Sequence, residues 1–161
     1  MNCGNGGSLD ITDAITIEAW VNADTNQASD WPRIVARRGG GNKGYELYLQ
    51  MNIWSLCVGL HDGNDYWLYS NGTVLNDNNW HHVVAVADLV GDTLKFYVDG
   101  NKDGNTFNIS TVGNISATAN FRVASSSGIF KGYIDDIRIY NRALSAGEIQ
   151  YLYTKTQGRY K

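Results

Sequence analysis

The feature that most constrains this chain is an apolar/polar alternation of period two that recurs from one end to the other. It runs through residues 15–21, 45–50, 53–60, 66–70, 81–87, 93–99, 121–124 and 132–140, which predicts eight strands. Turn-forming residues separate them: Gly39-Gly40-Gly41-Asn42, Asp62-Gly63-Asn64, Asn71-Gly72, Gly91-Asp92 and Asp99-Gly100-Asn101. Short strands punctuated this often stack as two antiparallel sheets. Within residues 93–99, Leu94, Phe96 and Val98 face one way, into a core, and Lys95, Tyr97 and Asp99 face water. By the same rule Ile17, Ala19 and Val21 point inward and Glu18 and Trp20 lie on the second, wet face. Ile134 and Ile139 are expected in the same core. The helical exception comes late, where Ser145 as N-cap and Glu148 three residues on form a capping box that opens a short helix over 145–153.

A chain of 161 residues hides roughly two-thirds of its unfolded surface, enough for one domain spanning 1–161. Its 43% hydrophobic content, with 18 glycines and 1 proline, excludes a disordered chain and fits many turns. Thirteen basic against 16 acidic residues give a net charge of −3, and no basic cluster exceeds Arg37-Arg38, so nucleic acid is excluded as a partner. No stretch approaches the roughly 20 apolar residues of a membrane helix. The opening Met1-Asn2-Cys3-Gly4 carries no secretory signal, so the chain is either cytosolic or cut from a longer secreted protein. Cys3 and Cys57 can pair, but both stand beside apolar residues, where a buried free thiol is the commoner state. Three sequons, at Asn71, Asn108 and Asn114, do not decide its origin.

Four segments, in order along the chain, carry a family resemblance: residues 8–21 (SLDITDAITIEAWV), Trp80-His81-His82-Val83, residues 94–100 (LKFYVDG), and residues 132–145 (GYIDDIRIYNRALS) followed by Glu148-Ile149. They resemble the laminin-G-like, concanavalin A-like domain. The resemblance implies an all-β, two-sheet antiparallel jelly-roll sandwich with one short C-terminal helix. Such domains usually begin with an extra strand before the Cys-Gly-Asn segment, so this chain reads as a piece excised from a longer extracellular or cell-surface protein. The fold hosts lectins, carbohydrate-binding modules, protein-binding modules and glycosidases alike, so function has to be argued from sites.

A glycosidase of this kind needs two carboxylates on one face. The family's Glu-x-Asp-x-x-Glu signature is absent, and Asp135 and Asp136, adjacent on a strand, are expected to face opposite ways. His61, His81 and His82 are possible bases, yet no nucleophile motif accompanies them, and His81 and His82 alternate across a strand and so cannot clamp a zinc ion together. No enzymatic activity is expected.

Sugar recognition calls for aromatic planes flanked by hydrogen-bonding groups. Trp31, between Asp30 and Pro32 in a polar stretch over 22–30, is the best exposed platform. Tyr66 and Trp67, beside Asp62 and Asn64, are the second aromatic cluster, one of whose alternating pairs must face outward. Arg33, with Arg37 and Arg38, can meet hydroxyls or an acidic sugar. The residues expected to bind ligand are therefore Trp31, Arg33, Asp62, Asn64, Tyr66 and Trp67, on one edge. The resemblance also places Asp135 where similar jelly rolls hold a structural calcium ion, with carbonyls from Cys3-Gly4-Asn5 as co-ligands; the alternative is that Asp135 only pairs with Arg138 or caps a turn. The Asp62-Gly63-Asn64-Asp65 turn is a second oxygen-rich stretch. The expected function is non-catalytic binding of an oligo- or polysaccharide, with a protein-binding or adhesive module as the alternative.

Overall fold

The computed structural model describes residues 1–27, 31–50, 53–124 and 128–160. Ten strands appear in it: β1 (Ala14–Ala23), β2 (Arg33–Gly39), β3 (Lys43–Leu49), β4 (Leu56–Asp62), β5 (Asp65–Tyr69), β6 (Trp80–Asp88), β7 (Thr93–Val98), β8 (Asn101–Asn108), β9 (Arg122–Val123) and β10 (Gly132–Tyr140). Among the described residues a single α-helix, α1, spans Ala146–Thr156. The strands form two antiparallel five-stranded sheets, ordered β10-β1-β6-β7-β8 (sheet I) and β5-β4-β3-β2-β9 (sheet II). This is the expected jelly-roll sandwich.

Between the sheets lies one core, in which Ile17, Ala19, Val21, Leu94, Phe96 and Val98 are buried as expected, with Ile134 and Ile139 packed at its margin. Two strands escaped the alternation pattern. In β2, a bulge between Arg33 and Val35 turns both Ile34 and Val35 inward, and the next inward position is a charged residue, Arg37. The other, β8, is the polar edge strand of sheet I, bulged opposite Lys95 and Phe96, and a solvated edge needs no apolar face. The β7–β8 turn has two central residues, Asp99 and Gly100, both at positive φ, as a tight hairpin with right-handed twist requires.

The expectation that Glu18 and Trp20 lie on a wet face is corrected by α1. The helix lays Leu144 and Ile149 onto Val84, Val86 and Tyr97, so sheet I is buried on both faces at this point. Trp20 is only 2% exposed; its Nε1 donates to Thr156 Oγ1 at 2.9 Å and its ring stacks on Tyr160 at 4.2 Å. Reaching Thr156 takes the helix three residues beyond the expected end at 153. At its start, Ser145 Oγ accepts from the Glu148 amide while Glu148 returns a bond to the Ser145 amide, the capping box read from sequence. Glu18, equally buried, is satisfied by His82 at 3.1 Å, Arg138 at 2.8 Å and Tyr140 at 2.8 Å. Burial alone raises a carboxyl's pKa, but these hydrogen bonds and the Arg138 charge outweigh it and hold Glu18 below its ordinary value. Cys3 and Cys57 are both free, Cys57 buried and Cys3, against the expectation, exposed.

Candidate functional site

The outer face of sheet II assembles its chemistry through strand register. Across β2, β3, β4 and β5 the outward residues form three rows: Arg38, Gly44, His61, Asp65; then Ala36, Glu46, Gly59, Trp67; then Arg33, Tyr48, Cys57, Tyr69. Two glycines shape this surface. Gly44, at φ +134°, stands in the row that Arg38 crosses to reach Asp65, and its own backbone abuts the Arg37 carbonyl so closely that a Cβ would lie 1.8 Å from that oxygen. Gly59 lets the Trp67 ring lie against the sheet, since a Cβ there would be 2.6 Å from Trp67 Cζ3.

Trp67 is 41% exposed and Trp31 42%, and both stand edge-on to the same buried ring, Tyr48, at 5.8 Å and 5.6 Å. Together with Arg33, Arg38, Gln50 and Tyr69 these three aromatics enclose a depression of about 350 Å³, within the range of small-ligand sites. The Arg38 guanidinium sits 5.3 Å over the Trp67 ring. Two depressions of about 460 Å³ lie elsewhere, beside Ile53 and Val74 and beside the start of α1. Neither combines facing aromatic rings with a buried polar chain.

Such a chain underlies the aromatic site. Arg33 Nε bonds Glu46 Oε1 at 3.2 Å; Glu46 Oε2 stands 3.9 Å from His61 Nε2; His61 Nδ1 meets Asp65 at 2.6 Å; and Asp65 takes Arg38 at 2.9 Å and Asn42 at 3.0 Å. His61 and Glu46 are buried, and His61 Nε2 and Glu46 Oε2 have no hydrogen-bond partner among the described residues. Burial pushes the His61 imidazole below its ordinary value, the Arg38 charge adds to this, and Asp65 opposes it without reversing it. Asp65 is held below the usual carboxylate range, chiefly by the Asn42 hydrogen bond and further by His61 and Arg38, against a smaller opposing effect of burial.

A histidine depressed in the folded state contributes stability that is full above its unfolded value of about 6.5 and is lost as pH falls below it. Wild-type protein should therefore lose melting temperature as pH falls below about 6.5 more steeply than His61→Gln, which has no such proton to take up. Parallel melting curves would detach His61 from that loss.

Of the residues expected to share one binding edge, Trp31, Arg33 and Trp67 come together, and Tyr66, Asp62 and Asn64 do not. Tyr66 lies on the other face of β5, packed on the core with its hydroxyl donating to the Thr111 carbonyl at 2.9 Å. Neighbouring residues of a strand point to opposite faces, so Trp67 and Tyr69 take the outside. Asp62 accepts from the Gly113 amide at 2.7 Å and from the Asn64 amide at 2.9 Å, which ties the β4–β5 turn to the loop after β8. Arg37, grouped with Arg33 and Arg38 by sequence, points the opposite way and is fully buried. Residues 28–30 of the polar stretch before Trp31 lie outside the described residues. The sequence reading missed Tyr48, Gln50, Glu46 and His61 as site residues; the outward position of Tyr48 and Glu46 follows from the inward set Tyr45, Leu47 and Leu49 on the same strand.

Asp135 and the Cys3-Gly4-Asn5 segment, the donors expected to hold calcium, each have hydrogen-bond partners within the protein. Asp135 Oδ1 accepts from the Asp136 amide and Oδ2 from Tyr160 at 3.0 Å, on the helix side of sheet I. The Cys3 amide and Gly4 carbonyl instead bond Phe121, and Asn5 bonds Thr118. The oxygens of Asp62 and Asp65 are likewise committed to different partners, and no cluster of three or more metal-ligating side chains occurs among the described residues. Melting with added calcium and then with chelator tests the calcium expectation: a calcium-dependent rise abolished by Asp135→Asn would support a site there, and equal midpoints would leave Asp135 a structural residue. Asp135 and Asp136 also depart from their expected opposite faces. A bulge in β10 itself, where three steps from Arg138 to Asp135 oppose two from Glu18 to Trp20 and Asp136 takes φ +47°, resets the alternation, and both carboxylates serve the C-terminal turn, Asp136 through Arg159 and Asp135 through Tyr160.

Known proteins share this architecture. The binding domain of Paraclostridial Mosquitocidal Protein 1 superposes with a TM-score of 0.77 at 17% identity, over 96% of this chain and 40% of that one. The binding domain of botulinum neurotoxin serotype G gives 0.71 at 16% identity, over 90% and 37%. In sequence, the non-toxic nonhemagglutinin of Paraclostridium bifermentans is 24% identical over 145 residues, which cover 89% of this chain and 12% of that protein. The chain thus spans less than half the length of each of these. Residues 2–150 match the family described as the concanavalin A-like lectin/glucanases superfamily, and the chain belongs to it.

Proposed function

We propose that this domain is a non-catalytic carbohydrate-binding module of a longer extracellular protein, and that its glycan site is the depression on the outer face of sheet II. The observation that carries the reading is the pair of half-exposed tryptophans, Trp31 and Trp67, meeting over buried Tyr48 with arginine, amide and phenol groups around them. Aromatic faces take the C–H side of a pyranose and the polar groups take its hydroxyls. Hydrolysis is disfavoured, because the carboxylates nearest the rings are engaged: Glu46 with Arg33, Asp65 with His61, Arg38 and Asn42. The partial span of its relatives supports a place within a larger protein.

On a glycan array the wild type should bind a defined subset of sugars. Trp31→Ala and Trp67→Ala should each weaken that binding by about 1 kcal/mol or more while melting at the wild-type temperature. Folded variants that bind every glycan as before would move the site elsewhere or favour a protein partner.

A further inference from the structure

We infer that the depression between Trp31 and Trp67 selects an uncharged pyranose over its carboxylate-bearing counterpart, an inference that rests on the glycan reading and deepens it. Two arginines in the lining at first suit an anionic sugar, but the charges around them are already matched. Arg33 lies 3.2 Å from Glu46 and Arg38 lies 2.9 Å from Asp65, one carboxylate for each guanidinium. Burial and Arg38 together keep His61, the imidazole bonded to Asp65 behind the lining, below its ordinary value and so uncharged at neutral pH. An anion reaching Arg38 meets the Asp65 carboxylate at the same guanidinium, and like charges a few ångströms apart beside apolar walls repel more strongly than in open water. Glu46 is buried and, among the described residues, its Oε2 has no hydrogen-bond partner, so giving up Arg33 would leave the carboxylate poorly compensated. A quaternary cation fails for the opposite reason, since Arg38 already sits 5.3 Å over the Trp67 ring.

What the lining offers instead is hydrogen-bonding capacity without net charge. Arg38 bonds through Nε and Nη2, while its Nη1, the Gln50 amide and the Tyr69 hydroxyl have no hydrogen-bond partner among the described residues. Hydroxyl groups can both donate to and accept from this set, whereas a carboxylate can only accept.

The test uses immobilised oligosaccharide pairs identical except at the terminal ring: glucose against glucuronate, galactose against galacturonate. The neutral member should bind at least about tenfold tighter, with little change between about 0.1 M and 1 M salt, over which the Debye length falls from about 10 Å to about 3 Å. Asp65→Asn, which adds net positive charge, should narrow the gap, and Arg38→Gln should widen it, so failure of either variant to fold leaves the other informative. Tighter binding of the acidic member, or loss of binding at high salt, overturns the inference and leaves the glycan site standing. Binding of neither member, with Trp67→Ala indistinguishable from wild type, removes the glycan reading and the inference with it.

Discussion

Replacing Arg37 by methionine is expected to cost about 3 kcal/mol of stability, although the substitution puts an apolar residue of similar length into a buried site. The Arg37 guanidinium ties three parts of the chain together at one end of the sandwich. Its Nε donates to the Ala119 carbonyl at 3.1 Å, Nη1 to the Leu9 carbonyl at 2.6 Å, and Nη2 to Asn5 and Asp10 at 2.6 Å and 2.7 Å. Breaking a buried pair by removing one partner costs roughly 3 to 5 kcal/mol. The lower end applies because the Asp10 side chain is 46% exposed and Asn5 is exposed, so both can turn to water, while the Leu9 and Ala119 residues are only partly buried. Arg37→Lys, which keeps the charge but loses the planar fork, should recover only part of the loss. Urea unfolding measures both, and a midpoint within error of wild type for Arg37→Met would mean that the N-terminal segment is held by its other contacts.

Phe96→Ala should cost about 3 to 5 kcal/mol, the usual range for removing a phenyl ring from a core. Phe96 is fully buried on β7, between β6 and the edge strand β8, its ring edge-on to Phe107 at 6.0 Å. The rigid pairing of β7 with β6 and β8 leaves little room for the cavity to close. Phe96→Leu, with a smaller cavity, should lose clearly less. Near-neutral unfolding of the alanine variant would show that the sheets can collapse onto the gap.

Much of the fold was legible because its signals are local. Alternation in 93–98 reports which residues share a face whatever the rest of the chain does, and Ser145 with Glu148 caps α1 through bonds that span three residues. The strands that escaped notice are those where local pattern and burial part company. A bulge and an inward arginine disguise β2, and a polar edge disguises β8. At the site, Trp31 was legible as an aromatic without a local core to enter, Trp67 as a member of one of two alternating pairs of which one must face outward, and Arg33 as the neighbour of Trp31. Tyr66 was drawn in only by adjacency to Trp67, and Asp62 and Asn64 only by adjacency to both. The bond from Asp62 to Gly113, 51 residues away, has no sequence-local sign.

By itself, then, the sequence determined the strand period, the turns, the capped helix and the class of fold, since each depends on residues within a few positions of one another. The tertiary structure decided which second faces stay wet. Sheet I is covered where α1 lands on Val84, Val86 and Tyr97, and that burial turned Glu18 and Trp20 from surface residues into parts of a second core. It also decided which aromatics meet. Tyr48, Trp67 and Trp31 lie on different elements, and only the register of β2, β3, β4 and β5 brings them to one depression. Register is a sum over many long-range pairings, and a slip of one residue would send Trp67 inward and Tyr66 outward, so no single segment of the sequence carries it.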